Sequence, residues 1–338
     1  MKIMISNDTD AAHLYDRISW VKVFNYCGHE AAIWDIRRKS AFDAFNEMKP
    51  DIFIGQLHNI NRATFKCLLN SDVRVALKAG HWGDVDKDID QTKYPVLMAS
   101  DDQKGIAEAL INNGKLDFVF VHYNQKHIDY TMGGWRNIIK PVGIMNGCDT
   151  FAYVGGEVRK EWECDMNFIG GNWPYKGQML NKYLYPLCNP IGKFNIKIFG
   201  NSTHPVGQYV GTIQEENVKH LFKSSKINLD VAEPHAYLFS FDISEKLFKV
   251  AGANGFYLSM GKVLAQKEVF GDLIKVAENE EDIKYWLQYP IARIIAQEQL
   301  TKEILEKHTH FDRCSQFMYE LGLPEEGKKI LEKKNEGN

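Results

Sequence analysis

The feature that most constrains the fold of this chain is a repeated alternation of short apolar runs with helix-period segments. In the first half the runs predict strands at residues 2–6, 30–36, 51–56, 74–79, 95–100, 116–123 and 142–145. Several runs are nearly continuous in apolar character, as strands covered on both faces must be. Between them, residues such as Leu14, Ile18 and Val21 recur at helical spacing. This alternation requires parallel pairing with crossover helices and predicts a doubly wound α/β domain.

The second half repeats the pattern after a looser segment, residues 146–165, which is predicted to be a linker. Strands are expected at 166–170, 195–199, 227–231, 255–259 and 273–277, and the chain after residue 282 reads as wholly helical. The predicted fold class is α/β, with Rossmann-like doubly wound domains at 1–150 and 151–300 and C-terminal helices at 301–338. Because open parallel sheets bind ligands outside the carboxyl ends of their strands, the site is expected in a cleft between the domains.

Composition and charge narrow the class of protein. Hydrophobic residues at 44% and charged residues at 25% are typical of a globular chain. The net charge of −3 provides no global field for a polyanion, although a local basic groove would suffice for nucleic acid. The N-terminus has no secretory pattern, no apolar run reaches the length of a membrane span, and the six cysteines are scattered. We therefore expect a cytoplasmic protein with reduced thiols.

Two stretches of the second half predict binding of an anionic ligand. Gly170 and Gly171 end a predicted strand, where backbone N–H groups can approach an oxyanion, and Lys176 follows with a positive charge. Asp242 and Glu245 form an Asp-x-x-Glu capping pattern at a helix start, whose N–H groups and dipole suit a diphosphate. A plain strand-to-helix turn and a plain cap are the structural alternatives.

The loop at residues 233–239 precedes that helix and is polar and aromatic. Its His235 and Tyr237 would be able to reach over a sugar. An ordinary surface loop explains the same composition.

The run from Asp242 to Leu258 resembles the donor-site helix and following strand of the CgeB-like (spore-maturation-type) glycosyltransferases. Further segments match that family in the same order: 167–170, 196–200, 209–211, 226–229 and, near the end, His308-Thr-His-Phe-Asp-Arg313. The resemblance spans roughly residues 165–315, and the first half matches in architecture only.

The resemblance implies a glycosyltransferase B fold with a nucleotide sugar, expected to be UDP-linked, held mainly by the C-terminal domain. It implies an acceptor approaching from the N-terminal domain, no cofactor beyond the nucleotide-sugar co-substrate, and no catalytic metal. The donor-binding residues expected on this basis are Gly170, Gly171, Lys176, Phe199, Gly200, His235, Tyr237, Asp242, Ser244, Glu245 and Lys249.

The sequence departs from the family pattern at two of these positions. Lys249 stands where the family has a glutamate that binds the ribose, and a lysine can only donate hydrogen bonds. Glu245, one helical turn earlier, lies on nearly the same face and would be able to substitute. Gly171 stands where an arginine is expected, which leaves Lys176 to carry that charge. The departures leave the identity of the donor open.

Catalytic candidates in the first half are His81, Asp84 and His122, each of which follows or ends a predicted strand. A histidine or carboxylate there would act as general base or steady an oxocarbenium charge. A structural role is the alternative for each histidine. The acidic pairs within residues 84–90 are a weak metal signal, and a solvated loop is the preferred interpretation.

Two other functions remain open, a nucleotide-sugar epimerase of the same fold and a non-catalytic nucleotide-sugar-binding protein. The acceptor is also open among glycans, proteins, small molecules and a hydroxylated base in DNA. Basic residues such as Arg37 and Lys140 would be able to contact phosphates, although scattered surface charges are common.

Overall fold

The computed structural model describes residues 1–9, 12–79, 101–128, 132–135, 137–240 and 243–336. Two compact units divide the chain: the first comprises Met1–Met145 and His310–Asn338, and the second comprises Asn146–Thr309. Each unit contains a six-stranded sheet in which the described strand pairs are parallel. In the part of the chain so described, no helix combines the length and apolar character needed to cross a membrane.

The first unit has the strand order β2-β1-β3-β4-β5-β6. Its strands are β1 (Lys2–Asn7), β2 (Glu30–Asp35), β3 (Ile52–Gln56), β4 (Arg74–Lys78), β5 (Phe118–Val121) and β6 (Val142–Gly143). Its helices are α1 (Ala12–Tyr26), α2 (Ala41–Met48), α3 (Arg62–Leu69) and α4 (Asp101–Asn112), joined by two C-terminal helices given below. The predicted strand at 95–100 lies outside the described residues.

The second unit has the strand order β12-β11-β10-β7-β8-β9. Its strands are β7 (Cys164–Ile169), β8 (Ile196–Phe199), β9 (Tyr209–Gly211), β10 (Ser225–Asp230), β11 (Tyr257–Met260) and β12 (Lys275–Ala277). Its helices are α5 (Thr150–Tyr153), α6 (Pro174–Tyr183), α7 (Glu215–Ser224), α8 (Glu245–Gly252), α9 (Leu264–Phe270), α10 (Glu280–Gln288) and α11 (Pro290–Lys307). The predicted doubly wound α/β class is confirmed, since helices and parallel strands alternate through both units.

The C-terminal helices α12 (His310–Glu320) and α13 (Pro324–Glu336) belong to the first unit. Phe317 and Met318 of α12 are fully buried in the same core cluster as Ile3 of β1 and Phe24 of α1. Phe317 also packs edge-on against Trp20, with ring centroids 5.3 Å apart. A helical pattern shows that one face must be covered, but it does not identify the sheet that covers it. The range 301–338, predicted as C-terminal helices, begins inside α11, and α11 is a helix of the second unit.

Two further details differ from the sequence-based expectation. The predicted linker at 146–165 contains the short helix α5, capped by the Asp149 carboxylate, which accepts from the N–H groups of Phe151 and Ala152. The strand β9 was not expected as a strand because its three residues are half-exposed at the sheet edge and carry no buried apolar run.

Candidate functional site

In the second unit the chain adds β8 and β9 on one side of β7 and then β10, β11 and β12 on the other side. The direction in which strands are added therefore reverses between β7 and β10. Open α/β sheets bind ligands at such a switch point, outside the carboxyl ends of the strands. β7 ends at Ile169 and is followed by Gly170 and Gly171, and β10 ends at Asp230. The sequence-predicted glycines thus lie at the edge where a ligand is expected.

The glycines at this edge have different roles. A Cβ at Gly200 would lie 2.3 Å from the carbonyl oxygen of Gly170, so Gly200 permits the backbones after β7 and β8 to touch. A Cβ at Gly171 would meet only side-chain atoms, at 3.5 Å and 3.6 Å. Gly200 is needed for packing, whereas a Cβ at Gly171 would make ordinary van der Waals contacts.

A buried ion pair lies at the end of β10. Lys246, in the first turn of α8, places its Nζ 3.1 Å from Oδ1 of Asp230, and the two side chains are only 11% and 2% exposed. The other Asp230 oxygen accepts a 2.6 Å hydrogen bond from the Tyr257 hydroxyl. The Lys246 ammonium also stands 4.1 Å from the ring centroid of Phe168. The carboxylate, itself held by Tyr257, and the aromatic face therefore fix the position of this ammonium.

A second ammonium lies close to the first. Lys176 Nζ is 5.8 Å from the centroid of the same Phe168 ring. Burial lowers the pKa of Lys246 to about 8, with a further contribution from Lys176 and opposition from Asp230. Burial alone would raise the pKa of Asp230, but Lys246 and Lys176 hold it below its ordinary value. Two ammoniums against one carboxylate leave a net positive charge at the strand ends, which favours an anionic ligand.

The N-terminus of α8 adds to this positive potential. Ser244 caps the helix, and its Oγ accepts from the N–H of Lys246 at 3.3 Å. The remaining N–H groups of the first turn and the helix dipole favour an anion there. Asp242, the predicted partner of this cap, lies outside the described residues. Two lysines and a helix N-terminus, at the edge that carries the glycines, together form a site suited to phosphate groups.

Lys249 and Glu245 pair with each other, with Nζ 2.8 Å from Oε1. Lys249 also stands 5.3 Å from the Tyr153 ring centroid, and the Tyr153 hydroxyl donates to Glu215. The substitution that distinguishes this chain from the family pattern is therefore accommodated by an i,i+4 ion pair.

Because the charge of Lys249 is compensated by Glu245, we expect Lys249→Met to change the dissociation constant for UDP by less than about threefold. Isothermal titration calorimetry on the two proteins measures this directly. A loss of tenfold or more would show that the lysine contacts the nucleotide.

The loop side chains predicted to reach over a sugar are packed inward. His235 is fully buried and its ring stacks on Tyr175, with Nδ1 3.2 Å from the Tyr175 hydroxyl. The Tyr237 hydroxyl accepts from the N–H of Ala232 and donates to the Met260 carbonyl at 2.8 Å. These side chains hold the loop at residues 234–237 against the strand ends.

Phe199 is likewise buried, with its ring centroid 5.9 Å from that of Trp162. A residue that was not predicted, His204, lies beside it at this edge, with Nε2 3.0 Å from the Gly170 carbonyl oxygen and Nδ1 3.0 Å from the Tyr185 hydroxyl. Nothing in the local pattern around His204 indicated this role.

The first unit holds a second polar cluster at its carboxyl strand ends. His122 directly follows β5, and its Nε2 lies 3.1 Å from Oδ2 of Asp16 on α1. Its Nδ1 lies 2.9 Å from the carbonyl oxygen of Ile144. Both ring nitrogens of His122, which was predicted as a general base, thus face acceptor oxygens. The other first-half candidates, His81 and Asp84, lie outside the described residues.

Asp16 is the centre of this second cluster and was not predicted. His310 places Nε2 3.7 Å from Asp16 Oδ1, and Lys78 adds a further positive charge. Burial alone would raise the pKa of Asp16, but His122, His310 and Lys78 hold it well below its ordinary value. Asp16 is therefore a buried carboxylate that stays ionised.

Comparison with solved structures shows similarity over nearly the whole chain. T4 phage BGT in complex with UDP-glucose is 11% identical with a TM-score of 0.60, over 95% of this chain and 99% of that chain. An alpha-glucosyltransferase bound to UDP and a 13-mer DNA is 13% identical with a TM-score of 0.60, over 95% and 99%. Sucrose-phosphate synthase from Thermosynechococcus elongatus is 10% identical with a TM-score of 0.64, over 94% and 98%.

At this level of identity the similarity establishes the fold: the chain has the glycosyltransferase B fold predicted from the resemblance. No protein-family model and no curated protein matches the chain. The CgeB-like family therefore remains a prediction.

Proposed function

We propose that the protein is a glycosyltransferase that moves a sugar from a nucleoside diphosphate sugar, UDP-linked, to an acceptor hydroxyl. The observation that carries the proposal is the cluster at the carboxyl ends of β7 and β10, where Lys246, Lys176 and the N-terminus of α8 converge. Ammonium groups and helix N-termini are the kinds of group that bind diphosphates in proteins. Here they lie at the switch point of the sheet, where ligands of this fold class bind.

The same groups suit the chemistry of the reaction. When the bond between the sugar and the diphosphate breaks, negative charge grows on the departing phosphate. A fixed ammonium such as Lys246 and helix-terminal N–H groups stabilise that charge without reorganisation. Asp230 and Phe168 keep the Lys246 ammonium in one place, which is the condition for such preorganisation.

The nucleotide and the acceptor are inferred from structures of the same fold. T4 phage BGT is solved with UDP-glucose, and the alpha-glucosyltransferase is solved with UDP and DNA. These relatives support a UDP-sugar as donor and make hydroxymethylated DNA the first acceptor to test, ahead of glycans and proteins. The alternatives are an epimerase, which would release a free sugar without an acceptor, and a non-catalytic binding protein.

The proposal is tested by incubating the protein with UDP-, GDP-, ADP- and TDP-sugars in EDTA and measuring nucleoside diphosphate release, with and without hydroxymethylated DNA. We expect release from a UDP-sugar, accelerated by the acceptor. A free epimerised product would identify an epimerase. Thermal stabilisation by the nucleotide sugar without turnover would identify a binding protein, and no stabilisation would contradict the donor site.

UDP affinity is expected to fall by about tenfold per pH unit above pH 8, because binding of the diphosphate requires charged Lys246, whose pKa is about 8. Between pH 7 and 8 the affinity is expected to fall by only about twofold, because Lys246 is half-charged at its pKa. The nearby His204 does not interfere, since burial and the two lysines lower its pKa and keep it neutral throughout this range. Calorimetry at several pH values measures the profile. Lys249→Met should reproduce it, and a flat profile to pH 10 would show that Lys246 does not bind the phosphate.

A further inference from the structure

The ring of Phe168 is shared by both lysines of the proposed donor site. Phe168 is the next-to-last residue of β7 and is fully buried. Lys246 Nζ lies 4.1 Å from the centroid of this ring, and Lys176 Nζ lies 5.8 Å from it. Both distances are within the range of about 6 Å over which an aromatic face attracts a cation. One aromatic side chain therefore interacts with two ammonium groups from different helices, α8 and α6.

The charges of the two ammonium groups are compensated differently. Lys246 has a carboxylate partner, Asp230 Oδ1. Among the residues that the structure describes, Lys176 has no carboxylate at ion-pair distance, and its contact is the Phe168 ring. Burial and, to a smaller extent, the charge of Lys176 lower the pKa of Lys246. Two like charges at this partly buried edge therefore need stabilisation beyond the single carboxylate.

The surroundings of the ring leave room for both cations. A Cβ at Gly170 would lie 2.8 Å from Phe168 Cζ and 3.7 Å from Lys176 Nζ, so glycine keeps the space that the ring edge and the ammonium share. His204 is a further aromatic neighbour, with its ring centroid 5.9 Å from that of Phe168. Burial lowers the pKa of His204, with smaller contributions from the two lysines, so its imidazole is neutral at neutral pH. Lys176 and Lys246 thus supply the positive charge at the ring.

An aromatic ring stabilises a cation in a different way from a carboxylate. Its face is the negative side of a quadrupole, but the ring carries no net charge. A second carboxylate beside Lys176 would neutralise the site and repel a diphosphate. The ring leaves the charge of one ammonium uncompensated, because two lysines stand against Asp230 alone. Phe168 therefore stabilises the cations and preserves the attraction for an anion.

We propose that Phe168 is a positioning residue for donor binding, whose ring holds Lys176 and Lys246 together as charged ammoniums while leaving the site positive for a diphosphate. This inference rests on the proposed function. The two lysines contact the phosphate groups, and Phe168 acts through the lysines. The electron density on the face of the ring then sets the affinity for UDP.

The test changes the charge distribution of the ring and keeps its shape. Amber suppression replaces Phe168 by 4-fluoro-, 3,5-difluoro- and 3,4,5-trifluorophenylalanine, in which fluorine draws electron density from the face of a ring of nearly the same size. We expect the UDP dissociation constant, measured by calorimetry at pH 7, to rise with each fluorine, by about tenfold over the series. A cation–π contact at a desolvated site contributes about this much.

Phe256 is the matched control position. It is 2% exposed, lies in the same core cluster as Phe168, and packs against Trp286 with ring centroids 4.9 Å apart. Within the described ranges of the chain, no lysine stands over its ring. The same fluorinated residues at position 256 should leave the UDP dissociation constant within about twofold.

The titration of Lys246 provides a readout that needs no ligand. In free protein with ¹³C-labelled lysine, the Cε resonance that is missing in Lys246→Met reports the charge of this side chain. Its midpoint should move to lower pH with each fluorine at position 168, because a weaker aromatic face stabilises the ammonium less. The charged groups that face Lys246, Asp230 and Lys176, are the same in every member of the series. A ring that only fills the core would not move this midpoint.

The outcomes separate the inference from the proposed function. A wild-type protein that binds UDP, with an unchanged UDP dissociation constant across the series at position 168, would overturn the role of Phe168 and leave the glycosyltransferase proposal standing. Equal losses at positions 168 and 256 would also overturn it, since they would show an effect of fluorine on packing. A wild-type protein that binds neither UDP nor a UDP-sugar would overturn both.

Discussion

Replacing Lys246 by methionine is expected to weaken UDP binding by about 100-fold. Methionine keeps the length and apolar stem of the side chain, so the change removes the ammonium itself. Loss of a charge-assisted contact to the diphosphate costs up to about 3 kcal/mol, which corresponds to about 100-fold in the dissociation constant. Asp230 then also faces the diphosphate as an uncompensated negative charge.

Lys246→Met is also expected to lower the free energy of unfolding by about 3 kcal/mol or more, because it leaves Asp230 buried without its cation. This effect is separated from binding by the double variant with Asp230→Asn, which removes the uncompensated charge. We expect the double variant to recover most of the lost stability in urea denaturation but not the UDP affinity in calorimetry.

Lys249→Met is the matched control for this prediction, since it removes a lysine about one helical turn away that is paired with Glu245. Wild-type UDP affinity in Lys246→Met, or equal losses in the two single variants, would contradict the assignment of Lys246 to the diphosphate.

Replacing Gly200 by alanine is expected to lower the free energy of unfolding by about 3 kcal/mol. The added Cβ would lie 2.3 Å from the Gly170 carbonyl oxygen, a backbone atom that cannot rotate away. The ends of β7 and β8 would have to separate, breaking the 2.9 Å hydrogen bond from the Gly170 N–H to the Phe199 carbonyl. Overpacking of this kind costs about 1–3 kcal/mol, with the upper end expected where backbone must move.

Gly171→Ala is the control for Gly200→Ala, because its Cβ would make contacts at 3.5 Å and 3.6 Å to movable side chains. We expect it to change stability by less than about 0.5 kcal/mol. Urea denaturation followed by tryptophan fluorescence compares the two, since Trp162 packs on Phe199 at this edge. Equal stabilities of the two variants would show that the strand ends tolerate separation.

Much of the proposed donor site follows from the sequence because its elements are local. Gly170, Gly171 and Lys176 lie within ten residues, and Ser244 caps the helix that it immediately precedes. Lys246 lies two residues after Ser244 at the start of the same helix. It was not predicted as a site residue, because a lysine near a helix start usually faces solvent. Its partner Asp230 lies sixteen positions earlier, at the end of another strand, and only the folded sheet shows the pair.

For three other predicted site residues, His235, Tyr237 and His122, the structure shows contacts that the sequence did not indicate. Each was selected for its functional group, and each side chain is engaged in holding a loop or a neighbouring carboxylate. A residue type shows what chemistry is available, but the direction of the side chain depends on packing against distant segments.

The sequence by itself determined the alternation of strands and helices, and with it the doubly wound α/β class, because apolar periodicity is a local property of the chain. It also placed glycines and a helix cap at the carboxyl ends of strands in the second half. Only the tertiary structure decided which distant side chains meet. Asp16, His122 and His310 come from α1, the end of β5 and the start of α12, and their meeting depends on α12 packing into the core of the first unit. Burial and charge compensation act through space, so no spacing along the chain encodes them.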